Sequence, residues 1–239
     1  MAKSKKTVRT ETKDGTRDDI AILLDLEGAV LNGRAIAYGL IRDRLGSKKV
    51  DVTPVMFSRY CVERRPGRFV PELLKLGGAK DDGSGLAAKI DAELAQALLD
   101  KSAVPAPGME DLLTSAWGKG VRTGLLSRLP NPAMDQVVNK LGMNEKLKGA
   151  VSYSDDEKGY PPADAWLKLA KTVAVKPSRC VAFVGSSRAC STALAAHMRC
   201  VILPDEFTAF QDFGGADLLL DKPDAGLVDR LIESMAVRQ

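Results

Sequence analysis

Short, continuous apolar runs are the feature of this sequence that most restricts its fold. The first run, Ile20-Ala-Ile-Leu-Leu-Asp25, ends in an acidic residue. A run of this kind is typical of a strand that is buried on both faces, as in a parallel sheet. Because segments with helical spacing separate the apolar runs, we expect a doubly wound parallel α/β sheet. The later strands are predicted at residues 121–126, 150–152, 180–184, 200–203 and 216–220.

The middle third of the chain shows a different pattern. It has helical spacing without strand-like alternation, over residues 34–45, 54–62, 70–76 and 86–100. The rigid segment Val104-Pro-Ala-Pro-Gly108 marks the return to alternating strands and helices. The later helices are predicted over residues 109–119, 133–141, 163–173, 187–197 and 226–237. The predicted organisation is a polar, basic tail (1–19), an α/β core (20–33 and 105–239) and a helical cap (34–104).

Composition excludes several classes of protein. The 239 residues are 45% apolar and 28% charged, which allows a well-buried core and rules out low-complexity disorder. A single histidine, His197, excludes multi-histidine zinc sites. Aromatic residues make up 5% of the chain, too few for a platform that stacks single-stranded nucleic acid. Catalysis would therefore rest on carboxylates, serine, lysine or cysteine.

Cysteine usage and hydropathy bear on localisation. Cys61, Cys180, Cys190 and Cys200 form no C-x-x-C pair, and we interpret them as reduced, buried side chains in a reducing compartment. No apolar run reaches the length of a membrane span. These features do not distinguish the cytoplasm from the interior of an organelle such as a mitochondrion or chloroplast.

Two carboxylates follow the first predicted strand. Ligands of open α/β sheets bind at the carboxyl ends of the strands, which is where Asp25 and Glu27 lie. Two residues apart, they can point into one site, with one as a nucleophile or metal ligand and the other as a general acid/base. Gly28 allows the chain to turn tightly beside them.

Four segments, in order, resemble the motifs of the haloacid dehalogenase-like (HAD) superfamily. Asp25-Leu-Glu-Gly-Ala-Val resembles the first motif, D-x-D-G-T, and Ser127 matches the serine or threonine of the second. Residues 159–166 resemble the third motif and residues 179–198 the fourth. The position of the helical insertion resembles the phosphoglycolate phosphatase and β-phosphoglucomutase branch. The resemblance implies a Rossmann-like parallel-sheet core with an inserted helical cap.

The resemblance also implies a mechanism of phosphoryl transfer. Asp25 would be the nucleophile that forms an aspartyl-phosphate, and Glu27 the general acid/base. Ser127 and a lysine would bind the phosphoryl oxygens. Lys158 would supply that lysine, because Tyr160 stands at the third-motif position. Mg²⁺ would be held by Asp25, by the carbonyl of Glu27 and by an acid of the fourth motif.

The sequence departs from the family pattern where charge is needed. Residues 184–187, Val-Gly-Ser-Ser, contain no carboxylate, although Mg²⁺ prefers anionic oxygen ligands. Asp205 and Glu206 are the nearest acids that could compensate. We therefore expect a catalytically degenerate HAD-like protein, without a cofactor, that is a structural or interaction subunit of a larger assembly. One alternative is a Mg²⁺-dependent phosphatase that hydrolyses a small phosphate ester through Asp25. Another is a module that binds a phosphometabolite without turnover.

Basic residues outside the motifs bear on partners. Lysine and arginine number 35 against 31 acidic residues, and the net charge of +4 does not by itself indicate nucleic-acid binding. The basic tail and an arginine cluster are either solvated or contact surfaces for an acidic protein or RNA. The cluster consists of Arg59, Arg64, Arg65 and Arg68.

Three further polar residues have structural interpretations. Ser186 and Ser187 precede a predicted helix, where serine is a preferred N-cap. His197 ends that helix and is expected at its surface rather than as a ligand.

Overall fold

The computed structural model describes most of the chain after the predicted tail. Tail residues 1–18, the third-motif residue Tyr160 and Lys158, which was predicted to bind phosphate, lie outside the described part. The described residues are 19–79, 83–101, 105–153 and 163–236.

A parallel sheet forms the centre of the fold. Its strands are β1 (Ala21–Asp25), β2 (Arg122–Ser127), β3 (Gly149–Ser152), β4 (Cys180–Val184), β5 (Arg199–Ile202) and β6 (Leu218–Leu219). They lie in the order β3-β2-β1-β4-β5-β6, and each pair is parallel. The strand order reverses at β1, because β2 pairs with one edge of β1 and β4 with the other. The crevice at the carboxyl ends of β1 and β4 is therefore the expected ligand site.

Helices cover both faces of the sheet and form the insertion. In chain order they are α1 (Gly33–Gly46), α2 (Pro54–Met56), α3 (Pro66–Leu76), α4 (Ser84–Lys101), α5 (Met109–Gly118), α6 (Asn131–Lys140), α7 (Ala163–Thr172), α8 (Ser187–Ala195) and α9 (Leu227–Ala236). The described residues between α1 and α5 contain no strand. The predicted fold class, a parallel α/β core with an inserted helical cap, is confirmed.

Strand β1 separates two apolar layers. All five of its residues are buried, as the continuous apolar run predicts. Ile22 and Leu24 belong to the layer that also contains residues of α5, α6 and α9. Ala21 and Leu23 belong to the opposite layer, with residues of α7 and α8. This alternation follows from the two-residue period of a strand, and it fixes where Asp25 emerges at the end of β1.

A third apolar cluster lies in the helical insertion and includes one residue of the core. Phe207 follows β5 in the chain and is 1% exposed. Its ring centroid lies 4.8 Å from that of Phe57 and 5.2 Å from that of Tyr38, both from the insertion. Edge contacts between aromatic rings at this separation are favourable. Phe207 therefore anchors the insertion to the core.

Three elements differ from their predicted form. Pro66-Gly67, predicted to separate two helices, instead begins α3, because the first position of a helix tolerates the missing N–H of proline. Residues Phe57–Cys61, predicted as a regular helix, form a π-helical turn. The last strand, predicted over 216–220, is two residues long, and Leu219 is 57% exposed.

The structure also bears on the cysteines and on membrane insertion. Cys61, Cys180, Cys190 and Cys200 are buried free thiols, as expected for small apolar side chains. Among the described residues, no helix has the length and apolar character needed to cross a membrane.

We expect Phe207→Ala to lower the free energy of unfolding by about 3 to 5 kcal/mol, because truncating a buried phenylalanine leaves a cavity. Phe210 is the matched control, since it is 70% exposed. Phe210→Ala is expected to change the same quantity by less than about 0.5 kcal/mol. Urea unfolding of both variants checks this, and equal losses in the two variants would contradict it.

Candidate functional site

Asp25 ends β1 and begins the π-helical turn Leu26–Val30. Its side chain is buried, and Oδ1 accepts a hydrogen bond from the backbone N–H of Gly28 at 3.2 Å. A Cβ added to Gly28 would lie 2.1 Å from Oδ2 of Asp25. Only glycine fits at this position, and the turn therefore folds tightly against the carboxylate.

Glu27 and Ser127 meet between the ends of β1 and β2. Ser127 Oγ donates a hydrogen bond to Oε1 of Glu27 at 2.6 Å. The backbone N–H of Arg128 donates to the same oxygen at 3.0 Å. Glu27 and Ser127 are both buried. The structure thus places Asp25, Glu27 and Ser127 at the carboxyl end of the sheet, while Lys158 lies outside the described residues.

The second oxygen of Glu27 is placed to carry a proton. Burial raises the pKa of Glu27 above its ordinary value, and the negative charge of Asp25 adds to this. The charge of Arg128 and the hydrogen bond from Ser127 oppose the shift. Oε2 is buried and has no hydrogen-bond partner among the described residues. Because Oε1 accepts two hydrogen bonds, the proton of the neutral acid belongs on Oε2.

Arg34, in the first turn of α1, places its guanidinium beside these acids. Its side chain is 12% exposed, and Nε pairs with Oδ2 of Asp205 at 2.5 Å. Nη2 donates to the carbonyl oxygen of Gly28 at 3.0 Å. A Cβ added to Gly185 would lie 2.2 Å from Nη2. The guanidinium thus fills the space between the loops that follow β1 and β4.

Glu63 reaches the same cleft from the helical insertion. Its φ of 60° lies in the left-handed region, which costs a residue other than glycine about 1 kcal/mol or more unless its surroundings hold it there. Oε1 of Glu63 is buried without a hydrogen-bond partner among the described residues. Burial raises the pKa of Glu63 to about 7, although the charges of Arg128 and Arg34 oppose the shift.

The core and the insertion form a partly open cavity between them. Its volume is about 220 Å³, and its polar lining includes Glu27, Arg34, Glu63 and Arg128. Apolar side chains from both the core and the insertion complete the walls. Sites for drug-sized ligands usually measure about 300–1,000 Å³. The cavity therefore suits a small, charged molecule.

The predicted arginine cluster does not form one solvated face. Arg64 makes two hydrogen bonds to the carboxylate of Glu72, at 2.7 and 2.8 Å. Arg64 and Arg65 also line the cavity. Arg68 is exposed, and Arg59 lies over a neighbouring tyrosine ring. Half of the cluster therefore faces the interior between the core and the insertion.

The loop after β4 is built as a helix cap. Ser186 Oγ accepts a hydrogen bond from the N–H of Ala189 at 3.2 Å, as predicted for an N-cap. Ser187 is instead the first residue of α8, and its N–H donates to the side chain of Gln211 at 2.8 Å. His197 follows α8 with a φ of 60° and is exposed.

The described residues do not fit the magnesium ion that the family resemblance implies. The carbonyl of Glu27 lies against α1, since a Cβ added to Gly33 would be 2.5 Å from it. Ser186 replaces an acid after β4, and its hydroxyl already caps α8. In the described part of the chain, no three His, Cys, Asp or Glu side chains form a group that could hold a metal. Asp205, the predicted substitute, pairs with Arg34 instead.

Three residues of this cleft lie outside the sequence-based predictions. Arg128 could have been found, because it directly follows Ser127 at a strand end. Arg34 could not be identified as a site residue, because it is one of several residues in the helical pattern of α1. No feature of the sequence indicates that Glu63 contributes to the cleft, since neither its backbone conformation nor its contact with the core can be inferred from local spacing.

The raised pKa of Glu63 predicts a pH-dependent stability. Folding favours the protonated acid, and stability should fall as the pH rises from 4.5, the ordinary pKa, to about 7. Relative to Glu63→Gln, the free energy of unfolding of the wild type should decrease by up to about 3 kcal/mol across this range. Urea unfolding at several pH values measures the difference. Glu145→Gln, at an exposed position, is the control and should follow the wild type. An unchanged difference between wild type and Glu63→Gln would refute the prediction.

Sequence relatives include CbbY proteins. No protein-family model matches the chain. The chain is 30% identical over 132 residues to a CBBY-like protein of Arabidopsis thaliana, covering 54% of this chain and 41% of that protein. It is 27% identical over 116 residues to the protein CbbY of Rhodobacter capsulatus, covering 46% of this chain and 50% of that protein. The matches thus span half or less of the length of these relatives.

Solved structures share the overall fold of this chain. CbbY from Rhodobacter sphaeroides in complex with phosphate superposes with a TM-score of 0.70 at 20% identity, covering 84% of this chain and 93% of that one. β-Phosphoglucomutase from Clostridium difficile gives 0.71 at 21% identity, covering 91% and 99%. A HAD family hydrolase from Deinococcus radiodurans R1, with bound phosphate and sodium, gives 0.70 at 16% identity, covering 92% and 98%. Together with the sequence relatives, these structures confirm the predicted resemblance to the HAD-like superfamily, and they show that the chain has the fold of these proteins.

Proposed function

We propose that this chain is a phosphatase-type hydrolase that cleaves a small phosphate ester through Asp25. The observation that supports this most directly is the pairing of two buried acids at the crevice. Asp25 lies at the end of β1, and Glu27 has a raised pKa and an oxygen without a hydrogen-bond partner among the described residues. A nucleophile beside a protonated acid is the arrangement that ester cleavage requires.

In the first step, a carboxylate oxygen of Asp25 attacks phosphorus. The bond from phosphorus to the ester oxygen breaks, and an aspartyl-phosphate forms. The departing alkoxide takes the proton from Oε2 of Glu27 and leaves as the alcohol. Arg34 and Arg128 supply positive charge near the attacking carboxylate, which offsets its repulsion with the phosphoryl oxygens.

In the second step, Glu27, now ionised, removes a proton from a water molecule. The water oxygen attacks phosphorus, the bond to Asp25 breaks, and inorganic phosphate leaves. Glu27 is protonated again and Asp25 is again a carboxylate, so the site returns to its initial state. The cavity of about 220 Å³ that Glu27 lines supports a small ester as the substrate.

The catalytically degenerate subunit is the second candidate function. It is favoured by the loop after β4, which carries Ser186 where the family has an acid. As a structural or interaction subunit of a larger assembly, the chain would bind a partner protein without turnover. This candidate also includes the proposed contacts of the arginine cluster and the basic tail with an acidic protein or RNA.

A panel of phosphate esters separates the two candidates. Purified protein should release inorganic phosphate from at least one ester, and Asp25→Asn should abolish this release, because the amide is not a competent nucleophile. Asp135→Asn, at an exposed position on α6, is the control and should retain full activity. Absence of turnover with every ester, or turnover that persists in Asp25→Asn, would exclude the proposed function.

The role of Glu27 as the acid predicts a dependence on the leaving group. Glu27→Gln should lower kcat/KM for an alkyl phosphate by about 10²- to 10⁴-fold, because this ratio reports the first step, in which the alkoxide no longer receives a proton. The loss should be much smaller for p-nitrophenyl phosphate, since its leaving group departs without protonation. Steady-state kinetics with both esters measure the two losses. Equal losses would assign Glu27 a structural role only.

A further inference from the structure

The guanidinium of Arg34 lies where the loops after β1 and β4 converge. A Cβ built on Gly28 would be 2.1 Å from Oδ2 of Asp25 and 3.4 Å from Nη1 of Arg34. A Cβ on Gly185 would be 2.2 Å from Nη2 of Arg34 and 2.1 Å from the carbonyl oxygen of Gly28. The guanidinium therefore lies between the carboxylate after β1 and the loop after β4. A cation bridging those two loops would need this space.

We propose that Arg34 takes the place of a divalent cation in this site, so that phosphate binds without a metal. The glycine at position 185 leaves room for the guanidinium, and the serine at position 186 leaves no acid there to attract a metal ion. An ion entering between the loops would meet a fixed positive charge that is 12% exposed. Like charges at such short range repel strongly.

One nitrogen of Arg34 is also available to donate a hydrogen bond to an anion. Nε is used by Asp205 and Nη2 by the carbonyl of Gly28. Nη1 has no hydrogen-bond partner among the described residues, and it lies on the side of Gly28 that also faces Asp25, since a Cβ built on Gly28 would be 3.4 Å from Nη1 and 2.1 Å from Oδ2 of Asp25. A planar guanidinium held on two of its nitrogens presents the third in a fixed direction. A hydrogen bond from a charged guanidinium N–H to a phosphate oxygen is stronger than one between neutral groups.

The inference rests on the site of the proposed function but not on turnover. It is tested with inorganic phosphate as the probe, by isothermal titration of the whole chain in EDTA and again with excess Mg²⁺. We expect phosphate to bind in EDTA, with less than about a twofold change in Kd when Mg²⁺ is added. Arg34→Gln should raise Kd by about tenfold or more, because a charged hydrogen bond to the anion is lost.

The control is Arg44→Gln. Arg44 is also an arginine of α1 paired with a carboxylate, that of Glu93, but it does not line the cavity. Its removal should leave the Kd for phosphate unchanged. Should Arg34→Gln fail to fold, the double variant Arg34→Gln/Asp205→Asn also removes the carboxylate left without its partner, and the same loss of binding is expected.

Each result decides the question. Phosphate binding that requires Mg²⁺, phosphate binding equal in Arg34→Gln and wild type, or no phosphate binding in either condition would overturn the inference. Failure of the proposed function has a different signature: metal-free, Arg34-dependent phosphate binding with no turnover of any ester. Conversely, turnover that depends on Asp25 together with Mg²⁺-dependent phosphate binding would remove only the role of Arg34.

Discussion

The two hydrogen bonds that Arg34 donates, to Asp205 and to the carbonyl of Gly28, are the constraint on which the rest of the site depends. Arg34 belongs to the first helix of the insertion, yet its bonds go to the loop after β1 and to Asp205 after β5. A nearly buried guanidinium needs acceptors that compensate its charge, and Asp205 and the carbonyl of Gly28 provide them, so these segments hold one another in place. The two glycines that flank it, Gly28 and Gly185, are consequences of the same crowding.

Charge balance links this cation to the acids around it. Glu27 and Glu63 line one cavity, and Asp25 lies close enough for its charge to raise the pKa of both. Three carboxylates at such short range cannot all remain ionised without compensation. The site meets this requirement in two ways. Burial raises the pKa values of Glu27 and Glu63, which favours their neutral forms. The arginines 34 and 128 then offset the remaining negative charge.

The sheet was predictable from sequence because its signal is local. The run from Ile20 to Asp25 is apolar throughout since β1 is buried on both faces, and its end marks the site. Asp25, Glu27 and Ser127 could be proposed because strand ends and motifs identify them. The contribution of the insertion could not be predicted. Glu63 reaches the cleft through a residue in the left-handed conformation and through packing between segments distant in sequence. Long-range packing of this kind leaves no periodic trace.

Phe207 has a consequence for how the molecule moves. The aromatic cluster of the insertion is completed by a ring from the core, so the two parts share one apolar interior. Separating them would expose three rings to water, and the lost burial would oppose wide opening. A ligand is therefore expected to enter the cleft through small, local displacements. The insertion and the sheet should also unfold together, in a single cooperative transition.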